Sequence, residues 1–171
     1  MTWTPNRRMA GIAFGILALD QITKQLVVKY LEWNGPGVEV IHGFFRLVHW
    51  GNTGAAWSMF SGQNALLAVV SLVALLGLFI WRHHFDTKTI PGQVSLGLIF
   101  GGIAGNLSDR LFIGHVVDFL RFYIYTRRGD EIGFPAFNVA DSAICVGVGL
   151  LFILSWRPEE EKPNETPAAT E

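Results

Sequence analysis

The stretch Gly97-Leu-Ile-Phe-Gly101-Gly-Ile-Ala-Gly105-Asn-Leu-Ser-Asp109 decides the fold of this chain, because a small residue recurs at every fourth position and leads to a carboxylate. On a helix, residues four apart lie on one face, so these glycines form a stripe that ends at Asp109. Small residues at this spacing let a second membrane helix approach closely. The stretch therefore predicts a helix within a bundle, with Asp109 turned inward rather than toward lipid.

The chain around this stretch has the composition of a membrane protein. Half of its 171 residues are hydrophobic and 16% are charged, whereas a soluble domain carries roughly 25% charged residues. Apolar spans of about the length that crosses a bilayer cover residues 9–28, 64–81, 92–112 and 139–156. We therefore predict an all-α membrane protein, a four-transmembrane-helix bundle formed by a single domain over residues 1–156.

The connections between the spans differ in length. If all four spans cross the membrane, the two long connections, residues 29–63 and 113–138, lie on one side of it. Residues 38–50 have the alternation of a short β-hairpin that turns near Gly43. The same connection holds residues 55–60, for which we predict a short interfacial helix.

Three other features carry little functional information. Arg127, Arg128 and Gly129 predict a turn within the stretch 123–134, which matches no motif. The acidic, proline-rich residues 157–171 predict a disordered tail. The single cysteine, Cys145, excludes an internal disulfide and is expected to be a small packing residue in the fourth span.

The polar residues of the apolar spans gather at one end of the predicted bundle. Ionisable groups at membrane depth are costly, and are functional by default. The net charge of −1 argues against a nucleic-acid partner, and no histidine spacing or motif demands a metal or cofactor. The candidate site residues are Asp20, Lys24, Asn52, Gly54, Asn106, Asp109, Arg110, Asp118, Asn138 and Asp141.

Several of these residues are expected to form buried ion pairs. Asp20 and Lys24 are four residues apart, so their side chains can pair on one helix face. Asp109 is expected to pair either with Arg110 or with Lys24. In the fourth span, positions 141, 145 and 149 repeat the spacing of the third span and predict a second packed stripe.

Asp118 and Asp141 are the strongest catalytic candidates. Asp118 follows the third span and Asp141 opens the fourth, so both carboxylates are expected at the same membrane boundary. Two carboxylates sharing one proton can act on a water as base and acid. Asp141 has a second interpretation, because an acidic residue at a helix N-terminus also caps the helix. Asn52 and Gly54 are expected to offer hydrogen bonds or a backbone turn at a substrate, and Asn138 is expected to orient a carboxylate or a substrate carbonyl.

Three other functions fit parts of this pattern. Asp20, Lys24, Asp109 and Arg110 suit the relay of a small proton- or ion-coupled carrier, although the chain lacks a second homologous half. A membrane phosphotransferase would use aspartate and arginine around a metal. A purely structural scaffold protein is the third alternative, but it would not explain the paired carboxylates.

Five motifs resemble, in order, those of the lipoprotein signal peptidases (signal peptidase II). The motifs are Asp20-Gln-Ile-Thr-Lys24, Asn52-Thr-Gly-Ala-Ala-Trp57, Gly101-Gly-Ile-Ala-Gly-Asn-Leu-Ser-Asp-Arg110, Val116-Val-Asp-Phe119 and Phe137-Asn-Val-Ala-Asp-Ser142. The resemblance extends from the first span to the fourth. It implies an aspartic endopeptidase with catalytic residues at Asp118 and Asp141, the other eight candidates supporting structure or substrate.

The resemblance also implies a setting and partners. It implies a multi-pass protein of the bacterial inner membrane, with both termini cytoplasmic and a small extracytoplasmic β-sheet, loop and helix. The implied substrates are prolipoproteins carrying diacylglycerol on a cysteine, cleaved just before that cysteine. Membrane lipids and the cyclic peptide antibiotic globomycin are implied partners, and no metal or cofactor is implied.

Overall fold

The computed structural model describes residues 4–54, 59–85 and 87–156. Its helices and strands follow in the order α1 (Pro5–Tyr30), β1 (Val38–Ile41), β2 (Phe45–Asn52), α2 (Asn64–Trp81), α3 (Ile90–Phe112), β3 (Val116–Tyr125), β4 (Glu131–Gly133) and α4 (Val139–Ser155). A single 3-10 turn, Arg82–His84, follows α2. The predicted interfacial helix at 55–60 falls mostly on residues outside the described ones, as does the predicted tail.

The four helices match the predicted spans closely, with α1 beginning at Pro5 instead of residue 9. Among the described residues, three helical stretches are long and apolar enough to cross a membrane: Pro5–Tyr30, Asn64–His84 and Ile90–Phe112. α4 is apolar but has 17 residues, about 25 Å of helix at 1.5 Å per residue. This length lies at the lower limit for a bilayer crossing. The chain is thus a helical membrane-type protein with a small antiparallel sheet.

Local sequence determines where two of these helices begin. The Thr4 side chain accepts a hydrogen bond from the Arg7 backbone N–H at the start of α1, and Pro5 occupies the first turn. Thr89 does the same for Gly92 at the start of α3, again with a proline in the first turn. A threonine cap followed by proline satisfies a free N–H and fixes a helical φ.

α3 is the centre of the bundle, as its glycines predict. A Cβ on Gly101 would lie 2.6 Å from the backbone oxygen of Ala13 in α1, and one on Gly102 would lie 2.5 Å from that of Ala140 in α4. No side chain fits at such distances, so α3 contacts a helix backbone on two sides. α2 packs mainly against α3, and only 6% of its apolar 18-residue stretch is buried.

α4 packs through different residues from those predicted. Ala140, Ala143 and Gly147 are its buried residues, and a Cβ on Gly147 would lie 2.7 Å from the Ser95 backbone oxygen of α3. Cys145 is exposed and lines a cavity. Nothing lies within 4 Å of a Cβ built on Gly149. The predicted stripe over 141, 145 and 149, and the packing role of Cys145, are therefore wrong. Spacing defines a helix face but does not say which of two small-residue faces turns inward.

The four strands form one antiparallel sheet in the order β1-β2-β3-β4. The predicted hairpin is confirmed, and Gly43 in its turn has φ +71°, a value that favours glycine. The stretch 123–134 forms the end of β3, a turn and β4. β2 pairs with β3 so that Trp50 lies opposite Asp118 and Asn52 opposite Val116. This pairing brings the first long connection beside Asp118.

A small apolar cluster joins the sheet to the helices. Val27 near the end of α1 is buried with Val117 and Phe119 of β3. Apolar contacts of this kind fix the strand relative to the bundle. Because Asp118 lies between Val117 and Phe119, the cluster holds its backbone in place while its side chain points away.

Candidate active site

The two candidate catalytic carboxylates border the same cavity. Asp118 belongs to β3 and is 3% exposed. Asp141 lies in the first turn of α4. A cavity of about 900 Å³ is lined by both, together with Asn52 and Arg110. The structure thus brings together residues that are 23 positions apart in sequence.

Asn138 connects the two carboxylates. Its side-chain oxygen accepts the Asp141 backbone N–H at 2.9 Å, and its own backbone N–H donates to Asp141 Oδ2 at 3.3 Å. These two bonds form a capping box at the start of α4. Since the oxygen faces an obligate donor, the Asn138 NH2 group must face the other way, where it donates to Asp118 Oδ1 at 2.8 Å. The capping interpretation of Asp141 is confirmed, and it leaves the carboxylate within the cavity wall.

Asn106 connects Asp141 to the interior of the bundle. Its side-chain oxygen accepts from Lys24 Nζ at 2.9 Å, and its NH2 group donates to Asp141 Oδ1 at 2.7 Å. Lysine has only donors, so this amide also has a single possible orientation. Asn106 therefore links Lys24 to Asp141 through two hydrogen bonds, so the position of the Asp141 carboxylate depends on that of Lys24.

Asn52 supports Asp118 from β2. Its NH2 group donates to Asp118 Oδ2 at 3.0 Å, while its side-chain oxygen accepts the Gly54 backbone N–H at 2.9 Å. Arg110 Nη2 donates to the Gly54 backbone oxygen at 3.0 Å. Arg110 therefore holds the segment that follows β2 and does not pair with Asp109.

Lys24 lies at the centre of a buried ion cluster formed by Asp20, Lys24 and Asp109, which we call the buried triad. Its Nζ lies 2.8 Å from Asp20 Oδ2 and 2.8 Å from Asp109 Oδ2. With the bond to Asn106, all three ammonium protons have acceptors. The predicted Asp20–Lys24 pair is confirmed, and Asp109 pairs with Lys24 rather than with Arg110.

The buried triad also fixes backbone around the site. Asp20 Oδ1 accepts the Ala140 N–H at 2.9 Å, and Asp109 Oδ2 accepts the Val117 N–H at 3.1 Å. Ala140 precedes Asp141 and Val117 precedes Asp118. The cluster therefore sets the backbone immediately before each candidate catalytic residue.

Sequence reasoning missed four residues of this region. Gln21 donates to Asp109 Oδ1 at 2.8 Å, and Asn64 donates to the Arg110 backbone oxygen at 3.0 Å. Trp50 and Arg121 line the cavity. Gln21 carried a usable signal, because it is a polar residue beside Asp20 in an apolar span. Nothing in the sequence pointed to Trp50 or Arg121, since only strand pairing brings them to the cavity.

The environment of Asp118 favours its neutral form. Burial, and secondly the nearby charge of Asp141, raise the pKa of Asp118 from 3.8 to about 7, although Asn52 and Asn138 donate hydrogen bonds to its charged form. Asp118 therefore titrates close to neutral pH. One carboxyl can give a proton while the other takes one, which suits activation of a water.

We expect activity to fall above pH about 7, by about tenfold per pH unit, because the proton on Asp118 is then lost. Stability should change in the same direction. Between pH about 4 and about 7 the native protein binds this proton more tightly than the unfolded chain, so the free energy of unfolding decreases as pH rises. Initial reaction rates and thermal unfolding across pH 5–9 would measure both effects.

The Asp118→Asn variant is the control for the stability effect, because it cannot titrate at this position. Its unfolding temperature should vary less with pH than that of the unchanged protein. An activity that keeps rising well above pH about 8 would contradict the prediction.

Comparison with known proteins relates this chain to one protein family. A family model described as Signal peptidase (SPase) II matches residues 12–157. The lipoprotein signal peptidase of Anoxybacillus flavithermus is 36% identical over 169 residues, which cover 99% of this chain and 97% of that protein. That of Bacillus pumilus is 41% identical over 142 residues, covering 83% and 88%. A solved structure described as a bacterial membrane enzyme, obtained by the in meso method, superposes with a TM-score of 0.78 at 31% identity, covering 92% of this chain and 93% of that one.

Proposed function

The chain belongs to the signal peptidase (SPase) II family, and from that premise we propose how its residues perform the reaction. It is an aspartic peptidase that removes the signal peptide from prolipoproteins. We assign catalysis to Asp118 and Asp141. The observation that carries the assignment is Asn138, which hydrogen-bonds both carboxylates at the wall of one cavity.

Asp141 starts as the base and Asp118 as the acid. Asp141 lies in the first turn of a helix, where the macrodipole stabilises its negative charge. Asp118 is almost fully buried and holds its proton near neutral pH. The two roles follow from the different surroundings of two identical groups.

The reaction then runs in two steps, each with two proton transfers. Asp141 takes a proton from a water, whose oxygen attacks the carbonyl carbon of the scissile bond, while Asp118 gives its proton to the carbonyl oxygen. In the tetrahedral intermediate, Asp141 passes its proton to the nitrogen and the C–N bond breaks. Asp118 recovers the proton of the oxygen as the new carboxyl group forms, so the pair returns to its starting state.

We place the site at the outer boundary of the bacterial inner membrane, with four crossings and both termini cytoplasmic. Asp20 and Lys24 lie late in α1, Asp109 lies late in α3, and Asp141 lies early in α4. Because consecutive helices run in opposite directions, the C-terminal ends of α1 and α3 and the N-terminal end of α4 lie on the same side of the membrane. Water is available there, while a signal peptide in the lipid can still reach the cavity.

The substrate is a prolipoprotein whose cysteine already carries diacylglycerol, and the bond broken is the one just before that cysteine. The cavity borders Ile144 and Cys145 of α4, a side that continues into the apolar bundle. Acyl chains and membrane lipids would lie against this side, where each buried methylene contributes about 0.8 kcal/mol. A cyclic peptide inhibitor of the globomycin type would occupy the same cavity.

Incubating the purified protein with a diacylglyceryl-modified precursor tests this function. We expect cleavage before the modified cysteine, at a rate that a chelator does not change, because a carboxylate pair activates the water. An unmodified precursor with the same sequence is the matched control and should be cleaved at least about 100-fold more slowly, since two acyl chains supply much of the binding.

Equal cleavage of both precursors would contradict lipid recognition. Loss of activity with chelator would favour a metal-dependent reaction instead. Ion or proton movement in liposomes without cleavage would support the carrier, against which the family membership already speaks.

A further inference from the structure

The cavity has two ends of different character. Near α4 it is lined by Ile144 and Cys145, and at the far end by Trp50 and Arg121 of the sheet. The catalytic dyad, Asp118 and Asp141, lies between these ends, because Asp141 precedes Cys145 by one turn of α4 and Asp118 precedes Arg121 on β3. A signal peptide is apolar and remains in the membrane, so its side of the scissile bond belongs at the α4 end. The lipidated cysteine keeps its acyl chains at that end as well, so the residues after it leave past Arg121.

Arg121 is held rigidly at that end. Its guanidinium lies 4.6 Å from the centre of the Trp50 ring. On the other side lies Gly133, where a Cβ would come within 2.9 Å of Arg121 Nη2. Nη2 donates to Glu131 Oε1 at 2.8 Å. The side chain is 16% exposed, so its position is fixed before any ligand binds.

Arg121 nevertheless has hydrogen-bonding capacity to spare. Its Nε is buried and has no hydrogen-bond partner among the described residues. Within the described part of the chain, Nη1 reaches one acceptor, the Phe134 backbone oxygen, at 3.5 Å. Arginine offers five donors, and a buried donor without an acceptor costs free energy. Because Nε is buried, Nη1, with its long contact, is the donor that an acceptor on the substrate can reach.

Arg121 shares its carboxylate partner, Glu131, with a second arginine. Glu131 is shared with Arg46, whose Nη2 lies 2.9 Å from its other oxygen. A second acid, Glu39, lies 3.6 Å from Arg46 and accepts the Tyr123 hydroxyl proton. Glu131 therefore forms ion pairs with the guanidinium groups of both Arg46 and Arg121.

We propose that Arg121, stacked on Trp50, forms a subsite for an acidic side chain in the segment that follows the scissile bond. Arg121 lies three residues along β3 from Asp118, about 10 Å at 3.3 Å per residue. An extended peptide covers the same distance in about three residues. With the lipidated cysteine counted as the first, the subsite receives the third residue. This inference rests on the proposed function and adds a sequence preference to it.

Three diacylglyceryl-modified peptides test the proposal, identical except for Asp, Gln or Lys at that third position. For the unchanged protein we expect kcat/KM to decrease in the order Asp, Gln, Lys, with about a tenfold difference between Asp and Gln expressed mainly in KM. The difference should shrink in 0.5 M salt, because the contact is partly exposed. R121Q should cleave the Asp and Gln peptides equally.

R46Q is the matched control. Arg46 shares Glu131, and its buried Nε also has no hydrogen-bond partner among the residues that the structure describes. It does not line the cavity. R46Q should keep the order Asp, Gln, Lys. If R121Q does not fold, R121K replaces it in the experiment. R121K should keep the order Asp, Gln, Lys with a smaller difference in kcat/KM, because lysine keeps the positive charge but lacks the planar guanidinium group.

Each result decides the matter. Equal cleavage of the three peptides by the unchanged protein, an undiminished preference in R121Q or R121K, or the same loss in R46Q would overturn the subsite. Failure of the unchanged protein to cleave any of the peptides would contradict the proposed function instead.

Discussion

Asp118→Asn and Asp141→Asn are each expected to lower kcat by about 10⁴-fold, the upper range for loss of a general acid or base. Asparagine keeps the size of aspartate but can neither accept nor supply the proton that the reaction moves. Both variants should remain folded and inserted, because Asn138, Asn106 and Asn52 surround the pair with hydrogen bonds that do not all depend on its charge.

Single-turnover cleavage of a lipidated precursor by purified variants would measure this loss. Asp130→Asn is the matched control, because Asp130 is an exposed acid in the turn before β4, and its activity should equal that of the unchanged protein. The double variant should be no worse than either single one, since the two residues act as one unit. Normal turnover by either single variant would refute the assignment of the dyad.

Lys24→Met is expected to cause the largest loss of stability, about 3–5 kcal/mol. The substitution leaves Asp20 and Asp109 facing each other in the bundle, at 0% and 4% exposure, without the ammonium group between them. It also frees the Asn106 oxygen, so the support of Asp141 weakens as well. Asp20→Ala and Asp109→Ala should destabilise in the same direction.

Thermal unfolding in detergent, followed by helical circular dichroism, would measure these changes. Lys29→Met is the matched control, because Lys29 is an exposed lysine in the last turn of the same helix and should shift unfolding little. If Lys24→Met unfolded at the same temperature as Lys29→Met, the buried triad would not stabilise the fold.

The sequence predicted the helices and six of the residues that line the cavity, for identifiable reasons. Apolar length and four-residue spacing are local properties, so the spans and the glycine face of α3 could be derived directly. The Asp20–Lys24 pair also lies within one helix turn. Charged residues stand out in apolar sequence, which is why the buried triad could be found before its geometry was known.

What could not be predicted depends on pairing between distant segments. β3 follows from contact with β2, and only that register brings Arg121 and Trp50 to the cavity. The choice of Asp109 between Lys24 and Arg110 depends on how α1 docks against α3. The inward face of α4 was predicted wrongly because two faces of that helix carry small residues, and packing against Ser95 selects the one with Gly147.

The unequal packing of the helices has a consequence for how this protein diverges over evolutionary time. Gly101 and Gly102 of α3 touch the backbones of two neighbours, so selection removes even a single added methyl group there. α2 is exposed on most of its surface, where any apolar residue suits a lipid environment. Neutral drift should therefore accumulate in α2 while the middle of α3 stays nearly invariant, although both helices are long and apolar enough to cross a membrane.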